Sequence, residues 1–232
     1  MLALAPFFLT LSMMPIGPTV RSPMFTEAMQ WELAAASPRI ASVGAQQDTA
    51  TGVTIGQRDG IAYVLTAEHG VPGSDERELH YFSKESYPVP ARKITGAIVA
   101  LRLSEPDIAL LKVPVGNETL PIVKLAAPGV RPKKYPVPVL SIGCDDTRAP
   151  FIIADTLRAK KLVRRPLGKV AFFWETDTPP NPGRSGGALI DAAGRVIGIC
   201  SASQDGHGYF THLDEIQAGL NRNGFGWLVE NP

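Results

Sequence analysis

Residues 175–203 read "ETDTPPNPGRSGGALIDAAGRVIGICSAS", with one serine, Ser185, set among Pro182, Gly183, Gly186 and Gly187. Short apolar runs follow at once. A flexible turn between two strands has this composition. So does a loop whose backbone must itself touch a reacting atom, where a side chain would stand in the way. Either way the stretch reads as strand, loop, strand.

The same grain extends outward. Short apolar or alternating runs bounded by turn residues recur at 40–45, 51–56, 61–67, 91–103 and 107–113. They continue at 137–143, 149–157, 169–177, 187–191, 195–202 and 208–213. This is the spacing of an antiparallel sandwich or barrel. Only 213–224, "LDEIQAGLNRNG", has helical periodicity, with Leu213, Ile216 and Leu220 on one face and Gly224 as a stop. The 22 glycines and 21 prolines among 232 residues favour many turns over long helices. The fold class expected is all-β with a C-terminal helix.

Composition narrows the function. With 23 basic and 22 acidic residues the net charge is +1, which argues against a dedicated binder of nucleic acid or anionic membrane. Two cysteines and four histidines form no cluster with metal-ligand spacing, so no metal is expected. Cys144 and Cys200 fit either one disulfide in an exported protein or two buried thiols. The opening "MLALAPFFLTLSMM" is too short to span a bilayer and reads as the core of a secretory signal. No Lys or Arg precedes that core and no clean A-x-A site follows it. An exported protein is expected, with a membrane anchor or a buried N-terminal segment as the alternatives. Residues 15–39 read as a linker or poorly ordered leader. "NET" at 117–119 matches an N-glycan acceptor, a pattern short enough to arise by chance.

Three short stretches carry chemistry together. His69 follows a strand end in "YVLTAEHGV", Asp107 opens an apolar strand in "SEPDIALLKV", and Ser185 lies in "NPGRSGGAL". Singly, a histidine after a strand, an aspartate in a turn and a serine among glycines are ordinary structural residues. Together, in the order His, Asp, Ser, they have the chain order of one of the convergent serine-protease triads. An α/β-hydrolase would need G-x-S-x-G and the order Ser, Asp, His, and neither is present.

"TAEHGV", "DIALLKV" and "TDTPPNPGRSGGALIDAAGRVIGI" resemble the three signature blocks of chymotrypsin-fold serine proteases, nearest to the compact bacterial HtrA-type branch. The resemblance covers roughly residues 40–220. It implies two antiparallel six-stranded β-barrels, about 40–125 and 126–212, followed by a helix at 213–222. The protease domain would span 40–222, between a leader at 1–39 and a tail at 223–232. A peptide-binding PDZ domain, usual in that branch after the catalytic one, is not expected within these 232 residues.

The resemblance also assigns roles. His69 becomes the general base, Asp107 its orienting carboxylate, Ser185 the nucleophile, and the N–H groups of Gly183 and Ser185 the oxyanion hole. Gly186 and Gly187 would let neighbouring strands approach closely. Ser201 would assist the aspartate, and Ser201, Ala202 and Ser203 would pair with an extended polypeptide substrate. The primary pocket would be formed by the stretch from Pro179 to Pro182, the edge from Ser201 to Ser203, and Gly208 to Phe210. Its base falls on Pro179, where no acid is available for a basic side chain, so an apolar pocket is expected. Arg184 departs from the Asp or Asn usual before the nucleophile. It would pair with Asp145 or Asp146, or point into solvent, and it could not receive a newly cut N-terminus. The resemblance therefore implies a serine endopeptidase that needs no cofactor. The rival reading is a catalytically inactive binding module of the same fold.

Overall fold

In this computed structural model residues 19–42, 49–73, 76–164 and 170–230 are described. The apolar segment 1–14, read above as a signal core, lies outside them.

Two closed antiparallel barrels make up the body of the molecule. In the first, β1 (Arg39–Ser42), β2 (Thr49–Arg58), β3 (Ile61–Thr66), β4 (Glu76–Tyr81), β5 (Arg92–Leu103) and β6 (Ile108–Pro114) run in the order 1-2-3-6-5-4, and β4 closes on β1. In the second, β7 (Val137–Gly143), β8 (Phe151–Arg164), β9 (Val170–Thr176), β10 (Ala188–Ile190), β11 (Val196–Gln204) and β12 (His207–His212) run in the order 7-8-9-12-11-10, and β10 closes on β7.

The two barrels share a core, and this explains the apolar runs 61–65 of β3 and 108–111 of β6. Alternate residues of β6 point to opposite faces. Ala109, Leu111 and Val113 fill the first barrel, while Ile108 and Leu110 join Val53, Ile55 and Leu65 in a cluster that continues into the second. A strand buried on both faces must be apolar at every position.

Among the described residues three helices frame the barrels. Helix α1 (Glu27–Ala35) is capped by Thr26, whose Oγ1 accepts from Met29 N–H, and it buries Leu33 against the shared core. The linker expected at 15–39 therefore contains a packed helix. Helix α2 (Leu213–Arg222) buries Leu213, Ile216 and Leu220 as expected, each worth about 1.5–3 kcal/mol. Helix α3 (Trp227–Glu230) returns Leu228 and Val229 to the core from a stretch expected to be a tail. Strand β4 was not foreseen either. Its "ERELHY" carries Arg77 at a buried position, where the guanidinium donates to the carbonyls of Glu76 and Pro72.

Candidate active site

Pairing of β3 with β6 brings the first two candidate residues together. Thr66 faces Ala109 across that ladder, so the residues just beyond Thr66 and just before Ile108 emerge side by side. His69 lies in a single 3-10 turn, Glu68–Gly70, after β3. Asp107 precedes β6 in a left-handed conformation, φ +59°. Such a conformation is uncommon but tolerated by aspartate. Its turn is tied to the second barrel by Thr211, whose Oγ1–H donates to Pro106 O.

Asp107 is almost wholly buried and entirely engaged. Its Oδ2 lies 2.7 Å from His69 Nδ1 and accepts from Ser201 Oγ–H, while Oδ1 accepts from His69 N–H at 3.0 Å. Burial alone would push this carboxyl up. The hydrogen bond and charge of His69, together with Ser201, outweigh burial and hold it below its ordinary value. An ionised Asp107 keeps the proton on His69 Nδ1. The Nε2 lone pair is then left to face Ser185 Oγ, 2.9 Å away. Ser185 comes from the second barrel, in the loop between β9 and β10.

That loop is held from several sides. Thr51 N–H donates to Ser185 O at 2.8 Å, and Thr51 Oγ1–H donates to Gly183 O at the same distance. Gly186 N–H donates to Cys200 O, and Asp146 N–H donates to Pro182 O, both at 2.8 Å. Gly183 has φ +89°, and a Cβ there would lie 2.5 Å from Cys144 O. Gly186, at φ +85°, would place a Cβ within 2.2 Å of Thr51 O. Only glycine fits at either point. The Pro182–Gly183 peptide is trans, so its N–H points away from the carbonyl that Asp146 holds. The Arg184–Ser185 peptide is disposed likewise, with Arg184 O accepting from Gly187 N–H.

The remaining candidates border this centre. Strand β10 pairs with β11 only from Ala188, opposite Ile199, to Ile190, opposite Val196. Past Cys200, β11 keeps β12 on one side (Ala202 with Tyr209, Ser203 with Gly208), and among the described residues no strand pairs with its other edge at Ala202 and Ser203. Gly208 backs onto Thr176 and Thr178, with the Phe210 ring beside it. Phe210 is fully buried in the shared core, whereas Pro179 and Pro182 are exposed. Asp177, the carboxylate nearest Pro179 in sequence, is engaged by Arg158. Arg184 is not in solvent but buried against Asp145. Cys144 and Cys200 are free thiols, both buried, and burial pushes each up to about 12.

Comparison with known proteins agrees with the two-barrel fold. Residues 50–199 match the family described as the trypsin-like peptidase domain. The chain belongs to that family. Among relatives of this trypsin-like peptidase, the putative serine protease HhoA of Synechocystis is 30% identical over 131 residues, 54% of this chain and 33% of that protein. A probable periplasmic serine endoprotease, DegP-like, of Marinomonas is 32% identical over 143 residues, 60% of this chain and 27% of that protein. The chain thus spans about a third or less of the length of these curated relatives. Its fold matches the Rv3671c protease in an inactive form, with TM-score 0.68, 21% identity, and 84% and 92% of the two chains covered. It also matches the HtrA-type protease AlgW with a tripeptide, with TM-score 0.65, 25% identity, and 84% and 63% covered.

The site contains residues that no sequence signal marked. Thr51 is the clearest. Its hydroxyl donates to Gly183 O and accepts from Cys144 N–H at 2.8 Å, linking the first barrel to two loops of the second. A threonine in a β-strand has ordinary composition, and its partners lie about a hundred residues away.

Proposed function

We propose that this chain is a serine endopeptidase acting on extended or unfolded polypeptides, with the protease unit at 40–222. The observation that carries the reading is the unbroken line from Asp107 Oδ2 through His69 Nδ1 and Nε2 to Ser185 Oγ, with spacings of 2.7 and 2.9 Å. A serine hydroxyl is a weak nucleophile unless a base takes its proton as it attacks. Ser185 Oγ adds to the scissile carbonyl carbon and its proton passes to His69 Nε2, while the carbonyl electrons move onto oxygen. The oxyanion is met by the N–H groups of Gly183 and Ser185, which are already oriented. Collapse expels the amine, which leaves with the proton from His69, and an acyl ester remains on Ser185. Water repeats the sequence and releases the acid. Asp107 keeps the imidazole in the productive tautomer and stabilises the imidazolium.

Substrate would add as a strand along Ala202 and Ser203, where β11 has an open edge. The primary pocket, between Pro179 to Pro182 and Gly208, is apolar and shallow in this reading. Phe210 lies behind Gly208, and Asp177 is already paired. Action outside the cytoplasm fits both the apolar opening of the chain and relatives named periplasmic. Among the described residues no helix is long and apolar enough to cross a membrane.

Incubation with an unfolded protein such as reduced, alkylated casein tests the reading. Wild type should generate peptides and Ser185→Ala should generate none. If both variants bind the casein and neither cleaves it, the chain is a binding module.

A further inference from the structure

Arg184 separates the two residues whose N–H groups are the oxyanion donors in the reading above, yet its side chain runs inward. Its side chain is 1% exposed and that of Asp145 is 3%. Nε donates to Asp145 Oδ1 at 2.7 Å, and Nη1 donates to Ser141 O at 3.0 Å and Ser141 Oγ at 3.2 Å. The guanidinium lies over the Phe151 ring, 4.6 Å from its centroid. The other oxygen of Asp145 accepts from Asn181 Nδ2 at 2.7 Å. One carboxylate therefore grips residues 181 and 184, on either side of the Pro182–Gly183 peptide. Its neighbour Asp146, at φ +49°, directs its N–H onto Pro182 O.

We infer that Arg184 and Asp145 are a positioning pair that keeps the oxyanion loop assembled from within the chain, so that no newly cut N-terminus is required. The inference rests on the peptidase reading. Rotation of the Pro182–Gly183 peptide would aim a carbonyl oxygen where an oxyanion must form, leaving an acceptor in place of a donor. That rotation breaks the Asp146 N–H bond to Pro182 O, and the buried pair opposes it by fixing Asp145, and with it Asp146, against residues 181 and 184. Arg184 cannot swing out without leaving the Asp145 carboxylate uncompensated inside the barrel, and a buried charge without its partner is strongly disfavoured. The resembling enzymes usually carry Asp or Asn at the position before the nucleophile. Here a cation stands on the nucleophile loop and its anion on the loop after β7.

The expected signature lies in the reaction step rather than in binding. Asp145→Asn should lower kcat by about 10²-fold, the scale of losing one oxyanion donor, with KM little changed. Affinity for a peptide aldehyde, which forms the tetrahedral oxyanion adduct, should fall by the same factor, and affinity for a product peptide should hold. Arg184→Lys, which keeps a cation beside Asp145, should retain at least tenfold more activity than Arg184→Met. Asn181 is exposed, so Asn181→Ala tests the same carboxylate grip if Asp145→Asn fails to fold, with a loss of about tenfold expected. A wild-type chain inert to a fluorophosphonate probe overturns the peptidase reading and the pair's role with it. A reactive wild type whose folded Asp145→Asn or Asn181→Ala variant keeps full kcat and aldehyde affinity overturns the pair alone.

Discussion

Asp107 does its work through backbone and side chain together. The left-handed φ at this residue turns the chain into β6 and aims the carboxylate under His69, where it also accepts from Ser201. Asparagine is nearly isosteric and also tolerates that conformation, so Asp107→Asn should fold. It would present an NH2 group to His69 Nδ1, favour the wrong tautomer, and lower turnover by about 10⁴-fold in a peptide-hydrolysis assay. The same substitution has a pH signature. Because the folded carboxyl sits below its ordinary value, its stabilising contribution is present above that value and lost as pH falls through the folded one. Melting temperatures below about pH 4 should therefore fall more steeply for wild type than for Asp107→Asn. His69, Asp107 and Ser185 were legible because each sits in a local pattern of its own. Thr51 was not, since its partners are fixed only by barrel closure, and Asp145 was legible only as one of two possible partners for Arg184 until the structure placed it against the guanidinium.

At the level of elements, β12 ends in His212, which caps α2 by accepting from Asp214 N–H on Nδ1 at 2.9 Å. The ring packs 4.0 Å from Trp174 and lies among Lys160, Arg131 and Asp214. Burial, then Lys160, lowers its value from 6.5 to about 4, with Asp214 opposing. Protonation would turn the capping acceptor into a donor. The unfolded chain takes up this proton at a higher pH than the folded one, so stability should decline as pH falls from about 6.5 to 4. His212→Asn, which can still cap, should flatten thermal melts across that window.

Elements also shape the proposed pocket. With β12 placing Phe210 behind Gly208, and Arg158 occupying Asp177, profiling on a peptide library should favour small or medium apolar residues before the cut. A strong Lys or Arg preference would contradict the pocket reading and direct attention to Asp155, the buried carboxylate that accepts from Thr178 N–H. Strands were readable wherever burial on one or both faces left an apolar signature, as in β3, β6 and β11. Strand β4 was not, because Arg77 occupies an inward position, where its guanidinium donates to the carbonyls of Glu76 and Pro72. Helix α1 was hidden by its mixed composition, since its nine residues bury only Gln30, Leu33 and Ala34.

At the scale of the whole molecule, neither barrel holds a complete site. The first supplies His69, Asp107 and the Thr51 anchor, and the second supplies Ser185, its glycine-rich loop and the edge of β11 at Ala202 and Ser203. The packed cluster running from Val53 and Leu110 into the second barrel keeps these halves in register. Assembly of the site is thus a property of the complete fold, and activity should vanish at the melting transition rather than before it. The central claim is that Ser185 is an activated nucleophile, and reaction with a fluorophosphonate probe measures this directly. The account predicts stoichiometric labelling of wild type, with the adduct located on Ser185 by mass spectrometry, and no labelling of folded Ser185→Ala. A folded wild type that fails to react, or an adduct that persists in Ser185→Ala, would contradict it.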